Sequence, residues 1–420
     1  TGRIHTSFNQ LVTATGRLSC LPAGALVNTH RGLVGIETVR AGDVVRTCRG
    51  PRPVLAAEMT GVKPVLAITL STGMVLRCSP EHQFRTTGRW VEASDLKPDV
   101  PLYMSFTEGS FGTSVAFRLE QTAAYRTRKT PYLPGEWSAD LAELLGYAMT
   151  DGHIARSNYN GKPAQLVLSF DWPDQDLARH FAGAMERLFG RSPTYRKTRS
   201  CPVLLLSSMD VCGLIEQLGA GGTSKVIQVP PSLFFAPRDI GAAFLRGYFE
   251  GDGTTSSALS VRSVSRDMLE GVHQLLGMFG IPSSISNGSE DPRGYAPRHT
   301  LFVLGDRSKR RFLEEIGFIS TKKRSQLDRR ISRQGYKSTA EVLTLPSADE
   351  VLSVKAALYD SERRRDGRVS QALYVFMHRY AAGRITCTLP RAERIVTAIT
   401  GAGAGVPSFL AEAVSGQYFE

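Results

Sequence analysis

Two nine-residue segments repeat in this chain, and this repeat constrains the fold more than any other sequence feature. LLGYAMTDG at residues 144–152 and LRGYFEGDG at residues 245–253 align without a gap. Each is followed by a strand-like run, AQLVLSF or SALSVRSV, and then by a helical run that ends in MERLFG or LLGMFGI. Because a repeat at a fixed offset reflects a repeated structural unit, the sequence predicts two copies of an αββα-type unit.

Both copies end in Asp-Gly, which predicts a site at the helix ends. A glycine in the left-handed region stops a helix, so Asp151 and Asp252 are each expected in a last helical turn. The helix dipole is negative there, so two carboxylates need a cation, and oxygen ligands favour Mg²⁺. The alternative is that each Asp-Gly pair only marks a turn. The presence of two copies at a constant offset argues against this alternative.

Small residues on one face of each predicted helix indicate close packing between the two helices. Gly146 and Thr150 are four residues apart, as are Gly247 and Gly251, so each pair shares a helix face. Helices paired on these faces about a pseudo-two-fold axis would bring the two aspartates together. Divalent ions held there can flank two scissile phosphates.

The region from about 138 to 325 resembles the LAGLIDADG homing endonucleases, in the two-motif form embedded in inteins. The resemblance implies an α/β nuclease with two pseudo-symmetric repeats, acting as a pseudo-dimeric monomer on a double-stranded DNA target with Mg²⁺ as its cofactor. Asp151 and Asp252 would be the catalytic and metal-binding residues. Base edges would be read in the major groove by segments such as RSNYNGK, YRKTRS and SNGSEDPRGYAPRH.

The same resemblance assigns basic residues to the nuclease site. TSKVIQVP resembles the lysine-containing block before the second motif, which makes Lys225 a catalytic candidate. EEIGFISTKKRSQL resembles its counterpart in the second repeat, where Lys322 or Lys323 would be the symmetric lysine. A surface lysine is the alternative for each.

A different unit precedes the repeats. Residues 20 to about 105 contain short β-type runs separated by turn signals, which predicts an all-β domain: LVGIETV, DVVRT, PVLAITLS, MVLRCS and RWVEA. A polar linker at 106–137 would join it to the α/β unit at 138–340. Residues 341–420 contain three helical patterns: SADEVLSVKAALYDSERRR, RVSQALYVFMHRYAA and RAERIVTAIT.

Cys20 opens the all-β unit, where it can attack the carbonyl carbon of Ser19 and exchange an amide for a thioester. That exchange is uphill and needs a distorted peptide and a proton donor for the departing nitrogen. His82 in CSPEHQF is the candidate donor near neutral pH, and Ser79 can hold the peptide by hydrogen bonding. Taken singly, a cysteine or a histidine is more often a buried structural residue.

Residues 20 to about 105 resemble the N-terminal splicing half of an intein, an all-β Hint domain. CLPAGALV resembles the opening block, GMVLRCSPEHQF the Thr-x-x-His block and GRWVEASDLKPDV the closing strand. The resemblance implies that Cys20 is the first nucleophile, His82 the block histidine and Ser79 a substitute for the usual threonine. It implies no cofactor for splicing. The final strand and terminal His-Asn of an intein find no counterpart, so splicing would need a further C-terminal segment, on this chain or a separate one.

Residues 1–19, TGRIHTSFNQLVTATGRLS, resemble a family A DNA polymerase motif, which implies a polymerase host interrupted at Cys20. The net charge of +12 suits a polyanionic partner, and residues 306–337 carry part of it. No apolar run would span a bilayer, so a cytoplasmic protein of a bacterial or phage-infected cell is expected. The rival hypothesis is a DNA-binding protein with an inactive nuclease and a relic Hint domain.

Overall fold

The protein is described by a computed structural model. It describes residues 4–7, 19–47, 50–86, 90–98, 100, 102, 108–117, 133–158, 161–172, 175–221, 223–288, 296–333, 342–343, 378–379, 387–401, 406, 411 and 414.

The N-terminal unit is built from short strands, as the sequence predicts. Its strands are β1 (Ile4–Ser7), β2 (Ser19–Pro22), β3 (Leu26–Thr29), β4 (Gly32–Gly35), β5 (Val44–Thr47), β6 (Gly50–Pro53), β7 (Ala57–Gly61), β8 (Leu66–Thr69), β9 (Val75–Cys78), β10 (Gln83–Arg85) and β11 (Trp90–Glu92). They form sheets in the orders β4-β3-β5-β6, β2-β1-β7, β8-β9 and β10-β11. Two 3₁₀ turns, Ile36–Thr38 and Ala93–Asp95, follow β4 and β11. Val34, Ile36, Val39 and Val54 are buried together and form the core of this unit.

The two sequence repeats fold into the same arrangement. The first contains α1 (Ala139–Asp151), β12 (Gly152–Arg156), β13 (Pro163–Ser169), α2 (Gln175–Phe189), β14 (Thr194–Lys197), β15 (Pro202–Ser207) and α3 (Met209–Ile215). The second contains α4 (Arg238–Asp252), β16 (Gly253–Thr254), β17 (Ser260–Ser263), α5 (Arg266–Met278), β18 (Ser283–Ser286), β19 (His299–Val303) and α6 (Asp306–Glu315). The predicted αββα pattern is therefore present, and each repeat continues with two further strands and a helix.

Both four-stranded antiparallel sheets have the same order, first, second, fourth and third strand of the repeat. The serine N-caps of α1 and α5 agree with the local sequence, since Ser138 and Ser265 accept hydrogen bonds from backbone N–H groups in the first turns. A π-helical turn (Glu216–Ala220) and a 3₁₀ helix (Pro231–Phe235) connect the repeats. Side chains of both repeats share one hydrophobic core.

Helices α1 and α4 pack against each other with almost no space between their backbones. A Cβ added at Gly146 would lie 2.3 Å from the Phe244 carbonyl oxygen, and one added at Gly247 would lie 2.0 Å from the Glu143 carbonyl oxygen. Contacts below 3.0 Å are not compatible with a side chain at either position. The close approach predicted from the small residues is therefore confirmed.

The glycines that follow the two helices act differently from the sequence prediction. Gly152 has φ −111° and Gly253 has φ −73°, so both are extended, and the predicted left-handed conformation is wrong. The chain instead enters β12 and β16 directly. A Cβ would lie 2.5 Å from the Ala148 carbonyl oxygen at Gly152 and 2.1 Å from the Phe249 carbonyl oxygen at Gly253. Glycine is needed there because the strand leaves so close to its own helix.

After the second repeat the described chain contains α7 (Thr321–Arg333), β20 (Val342–Leu343), β21 (Cys387–Thr388) and α8 (Leu389–Gly401). Helix α8 confirms the helical pattern of RAERIVTAIT. The other two predicted helices of the tail lie outside the described residues, as do most of the polymerase-like segment and parts of the linker. Within the described portion of the chain, no helix has the length and apolar character needed to cross a membrane.

The all-β unit docks on the second repeat. The amide of Ile285 on β18 donates a hydrogen bond to the Thr72 carbonyl oxygen at 2.7 Å, which covers part of that sheet edge. Arg266 donates to the neighbouring carbonyl of Gly73. A second bridge runs through Glu108, which accepts from Arg238 and, at 2.7 Å, from Arg311. The contacts of Thr72 and Gly73 fix the β8–β9 turn against the second repeat, and those of Glu108 fix the start of the linker against it.

Candidate functional site

The ends of α1 and α4 place Asp151 and Asp252 together, as the repeat predicts. Each aspartate is the last residue of its helix. A Cβ added at Gly251, next to Asp252, would lie 2.8 Å from the Asp151 Oδ2 atom and 1.8 Å from the Thr150 Oγ1 atom. The two helix ends are therefore in direct contact.

A cavity of about 240 Å³ opens at these helix ends. Its lining includes Asp151, Asp171, Glu250, Lys322 and Lys323. Asp171 belongs to the loop between β13 and α2, and the sequence did not single it out. The cavity is thus lined by carboxylates and amines from both repeats, which is a suitable place for a cation and a polyanion to meet.

Burial opposes ionisation of both paired aspartates, and neighbouring negative charges add to this effect at Asp151. Burial, with the negative charges of Asp252 and Asp171, raises the pKa of Asp151 to about 6 against the opposing effect of Lys323. Burial likewise raises the pKa of Asp252, while Lys323 and Arg298 act in the other direction. The positive charge present is too small to offset the cost of two buried carboxylates, so the site favours an additional cation.

The structure separates the three candidate lysines. Lys323 is partly buried and its ammonium group donates to the backbone carbonyl oxygens of Phe249 at 3.2 Å and Gly251 at 3.0 Å, and also to that of Glu250. Burial lowers the pKa of Lys323, against the raising effect of the surrounding carboxylates. Lys322 lines the cavity with an exposed side chain.

Lys225 lies apart from this arrangement. It is exposed in the turn before Ile227, in the connection between the repeats, and it is not among the cavity-lining residues. The geometry therefore favours Lys323 among the lysines identified by resemblance.

Glu250 positions Lys323, and sequence reasoning missed it. The buried carboxylate of Glu250 accepts hydrogen bonds from the backbone amides of Ile319 at 2.7 Å and Ser320 at 3.0 Å, just before α7. Lys323 in the first turn of α7 reaches back to the end of α4. The first repeat has Met149 at the corresponding position. This difference between the two copies is the sequence feature from which Glu250 could have been identified.

Backbone hydrogen bonds connect the segment of Ser79 and His82 to Cys20. Cys20 is fully buried, and its carbonyl oxygen accepts a hydrogen bond from the Ser79 amide at 3.1 Å. The His82 amide in turn donates to the Ser79 carbonyl oxygen at 3.0 Å. The segment that contains Ser79 and His82 is thus held against the cysteine residue.

The side chains of Ser79 and His82 have polar atoms ready for a partner. Considering the described residues alone, Ser79 Oγ and His82 Nδ1 are buried and make no hydrogen bond. Burial lowers the pKa of His82 to about 4. The imidazole is therefore neutral near pH 7, and as a proton donor it would act through a neutral N–H group, whereas the sequence suggested a group that titrates near neutrality.

The Cys20 sulfur has two polar neighbours that the sequence did not indicate. Thr60 Oγ1 lies 3.5 Å from Sγ, and the Lys63 ammonium group donates to Sγ at 3.6 Å. Thr60 and Lys63 both come from the segment around β7, about forty residues from the cysteine. Neither belongs to the motifs that resemble an intein.

Comparison with known proteins identifies part of the chain. Residues 239–317 match the family model described as LAGLIDADG-like domain. These residues form a LAGLIDADG-like domain. They include α4, the second sheet and α6, and the first repeat has the same motif and the same sheet order.

Several curated proteins are similar to a large part of this chain. They are the iron-sulfur cluster assembly SufBD family protein ML0593 of Mycobacterium leprae, 29% identical over 64% of this chain and 32% of that protein, the replication factor C small subunit of Thermococcus kodakarensis, 31% identical over 62% and 27%, and a DNA polymerase of Thermococcus hydrothermalis, 26% identical over 65% and 17%. The matched region thus covers at most about a third of the length of these relatives.

A solved structure is also similar. The homing endonuclease I-DmoI in complex with DNA and Mn matches 43% of this chain and 96% of its own, with 16% identity and a TM-score of 0.35.

The donor set at the ends of the LAGLIDADG helices fits a hard divalent cation. Asp151 and Asp252 offer carboxylate oxygens, which Mg²⁺ prefers. Among the residues that the structure describes, no group of three or more His, Cys, Asp or Glu side chains is arranged to hold a metal by itself. The two carboxylates would therefore share such an ion with oxygens of water and a phosphate.

Some basic residues of the LAGLIDADG-like domain are paired with acidic residues of the same chain. Lys309 pairs with Asp306 at 2.9 Å, Arg311 with Glu108, and Arg307 with Glu393. Lys322, Arg324 and Arg329 on α7 remain exposed. Exposed basic side chains in the described part of residues 306–337 therefore include Arg310 on α6 as well as these residues of α7.

Proposed function

We propose that this protein is a site-specific endonuclease that cleaves double-stranded DNA with the paired repeats. The observation that carries the proposal is the meeting of Asp151 and Asp252 at the ends of α1 and α4, beside Lys323. Two phosphodiester bonds on opposite strands need two acidic positions related by approximate symmetry, and the paired helices provide them.

The chain's own groups have distinct roles in this proposal. Asp151 and Asp252 would hold Mg²⁺, which supplies positive charge that stabilises the transition state of phosphodiester hydrolysis when it is bound. The Lys323 ammonium group lies close enough to both carboxylates to influence their pKa values. It can neutralise charge on a phosphate that enters the cavity. Exposed basic residues of α7 would hold the DNA backbone, which makes binding salt-dependent.

Single substitutions at the aspartates test this function. We expect Asp151→Asn and Asp252→Asn each to lose cutting by at least about 100-fold, because each removes a carboxylate that holds the metal, while DNA binding is kept. The substrate is duplex DNA selected from a random library by binding to the wild-type protein with Ca²⁺, and cutting is then measured with Mg²⁺. Asp176→Asn is the matched control, since Asp176 is exposed on α2 and forms a surface ion pair with Arg179 at 2.9 Å.

Two results would contradict the proposal. Cutting by both aspartate variants at the wild-type rate would remove the aspartates from the reaction. A wild-type protein that binds the selected DNA and does not cut it with Mg²⁺ or Mn²⁺ would instead favour the rival function, a DNA-binding protein with an inactive nuclease.

We further propose that the all-β unit is the N-terminal part of a protein-splicing domain. The hydrogen bond from the Ser79 amide to the Cys20 carbonyl oxygen supports this, because it joins the two motifs that the reaction requires. The relatives support it independently. An iron-sulfur assembly protein, a replication factor and a DNA polymerase share no activity by name, yet each contains a similar segment as a minor part of its length. A segment common to unrelated hosts is best explained as an insertion that removes itself.

In this proposal Cys20 attacks the Ser19 carbonyl carbon and residues 1–19 belong to a DNA polymerase host. Completing the excision requires the strand and His-Asn that follow in inteins, so the proposed partner is a C-terminal intein segment. The first step can be tested with the present chain, since hydroxylamine cleaves a thioester between Ser19 and Cys20.

We expect hydroxylamine to release residues 1–19 from the wild-type chain and not from Cys20→Ala, as measured by intact mass. Cys201→Ala is the matched control, because Cys201 is a free cysteine in the first nuclease repeat. If the Cys20→Ala chain is cleaved as fast as the wild type, a thioester at this position is excluded.

A further inference from the structure

The Cys20 sulfur contacts two polar side chains that are not part of the splicing motifs. Cys20 is fully buried, and the Lys63 ammonium group donates a hydrogen bond to Sγ at 3.6 Å. The Thr60 hydroxyl lies 3.5 Å from the same atom. Lys63 follows β7 and is half-buried.

The attack on the Ser19 carbonyl carbon develops negative charge on the cysteine sulfur, because the thiolate is the nucleophile. A positive charge or a hydrogen-bond donor beside the sulfur favours that charge. His82 does not supply the charge at neutral pH, because burial holds its pKa at about 4. The cation beside the sulfur is therefore contributed by Lys63.

We propose that Lys63 is a catalytic residue of the amide-to-thioester exchange, in which its ammonium group stabilises the developing negative charge on the Cys20 sulfur. This rests on the proposed splicing function. In the step, the bond between Sγ and the Ser19 carbonyl carbon forms and the bond from that carbon to the Cys20 nitrogen breaks. The sulfur loses its proton to water and the nitrogen gains one. Lys63 keeps its proton throughout, and no co-reactant is consumed.

The arrangement assigns different tasks to the neighbouring groups. Lys63 acts on the attacking atom, and the Thr60 hydroxyl can donate a second hydrogen bond to it. The Ser79 amide donates to the Cys20 carbonyl oxygen, so the segment of Ser79 and His82 contacts the Cys20 backbone and leaves the sulfur to Lys63 and Thr60.

Matched variants of Lys63 test the proposal through the rate of hydroxylamine cleavage in the full chain. We expect Lys63→Met to slow the release of residues 1–19 by about 10- to 100-fold, the usual effect of losing a hydrogen bond to a charged group. Lys63→Arg, which keeps the charge, should recover a large part of that loss. Lys97→Met is the control, because Lys97 is exposed in the same all-β unit, and it should cleave within about twofold of the wild-type rate.

The outcomes separate the two levels of the proposal. Cleavage of Lys63→Met at the wild-type rate overturns the role of Lys63. A Lys63→Arg chain as slow as Lys63→Met, with both melting well below the wild type, assigns Lys63 to folding and also overturns it. If Lys63→Met does not fold, Lys63→Gln is measured with the same expectation. A folded wild-type chain that hydroxylamine does not cleave overturns the splicing function itself.

Discussion

At the scale of single residues, the site at the ends of α1 and α4 contains two carboxylates whose ionised form is destabilised by the fold. Burial opposes ionisation of both Asp151 and Asp252, and at Asp151 the neighbouring carboxylates add to it. Both aspartates also lie at helix C-termini, where the dipole is unfavourable for an anion. A functional site commonly tolerates such a cost because the groups must bind or react. The cost should therefore be measurable as a gain in stability when a charge is removed.

We expect Asp151→Asn to be more stable than the wild type at pH 8 in the absence of divalent ions. The ordinary pKa of 3.8 applies to the unfolded chain and a pKa of about 6 to the folded one. The folded chain therefore binds more protons between these values, so the destabilisation is complete above pH 6 and vanishes below pH 3.8. The variant should gain about 1–3 kcal/mol at pH 8.

Urea unfolding at pH 8 and near pH 4, with EDTA present, measures this difference. The gain should shrink as the pH falls, whereas Asp176→Asn should show little change at either pH. A variant that is less stable than the wild type at pH 8 would show that the Asp151 carboxylate is well accommodated by the fold.

At the scale of helices and strands, the close contact between α1 and α4 determines the geometry of the proposed nuclease site. Gly146 and Gly247 allow the backbones to touch, and the aspartates at the ends of the helices are brought together as a result. Contact of this kind cannot adapt to an added methyl group, because the opposing atoms are backbone carbonyls.

We expect Gly247→Ala to lower the free energy of unfolding by about 1–3 kcal/mol and to abolish cutting, since the added Cβ would lie 2.0 Å from the Glu143 carbonyl oxygen. Gly277→Ala in α5 is the matched control because a Cβ there meets nothing within 4 Å. It should be neutral or stabilising by up to about 1 kcal/mol. Urea unfolding measures the stability of the two variants, and the cutting assay measures their activity. Equal stability of the two variants would contradict the packing described for α1 and α4.

At the scale of the whole molecule, the all-β unit and the second repeat are joined at the edge of β18. The turn after β8 places the Thr72 carbonyl oxygen against the Ile285 amide, and Gly73 stands with φ +79° over the Ile285 carbonyl. The proposed splicing and nuclease units are therefore in direct contact and are not joined by the linker alone.

We expect Gly73→Ala to detach this turn, because an added Cβ would lie 1.9 Å from the Ile285 carbonyl oxygen. Gly61→Ala is the matched control, since Gly61 has φ +95° and open space around it. Both carry a similar cost of about 1 kcal/mol for the left-handed conformation. Only Gly73→Ala should lose hydrogen-exchange protection at the Ile285 amide. Equal protection in both variants would show that the docking contact tolerates a side chain.

The sequence by itself determined the architecture of the two repeats and the acidic half of the proposed nuclease site. The repeat fixed the two equivalent units, the small residues indicated the helix contact, and Asp-Gly placed each aspartate at a helix end. These features are local or periodic, so they can be read along the chain. The conformation of Gly152 and Gly253 was predicted wrongly, because the direction in which a strand leaves a helix depends on the sheet that it joins.

Only the tertiary structure decided which distant residues act on these groups. It selected Lys323 over Lys225 through contacts with the end of α4, and it placed Lys63 at the Cys20 sulfur across about forty residues of chain. It also made His82 neutral by burial. Protonation states depend on solvent exclusion, and long-range contacts depend on packing between segments. Neither solvent exclusion nor such packing produces a periodic pattern in the sequence.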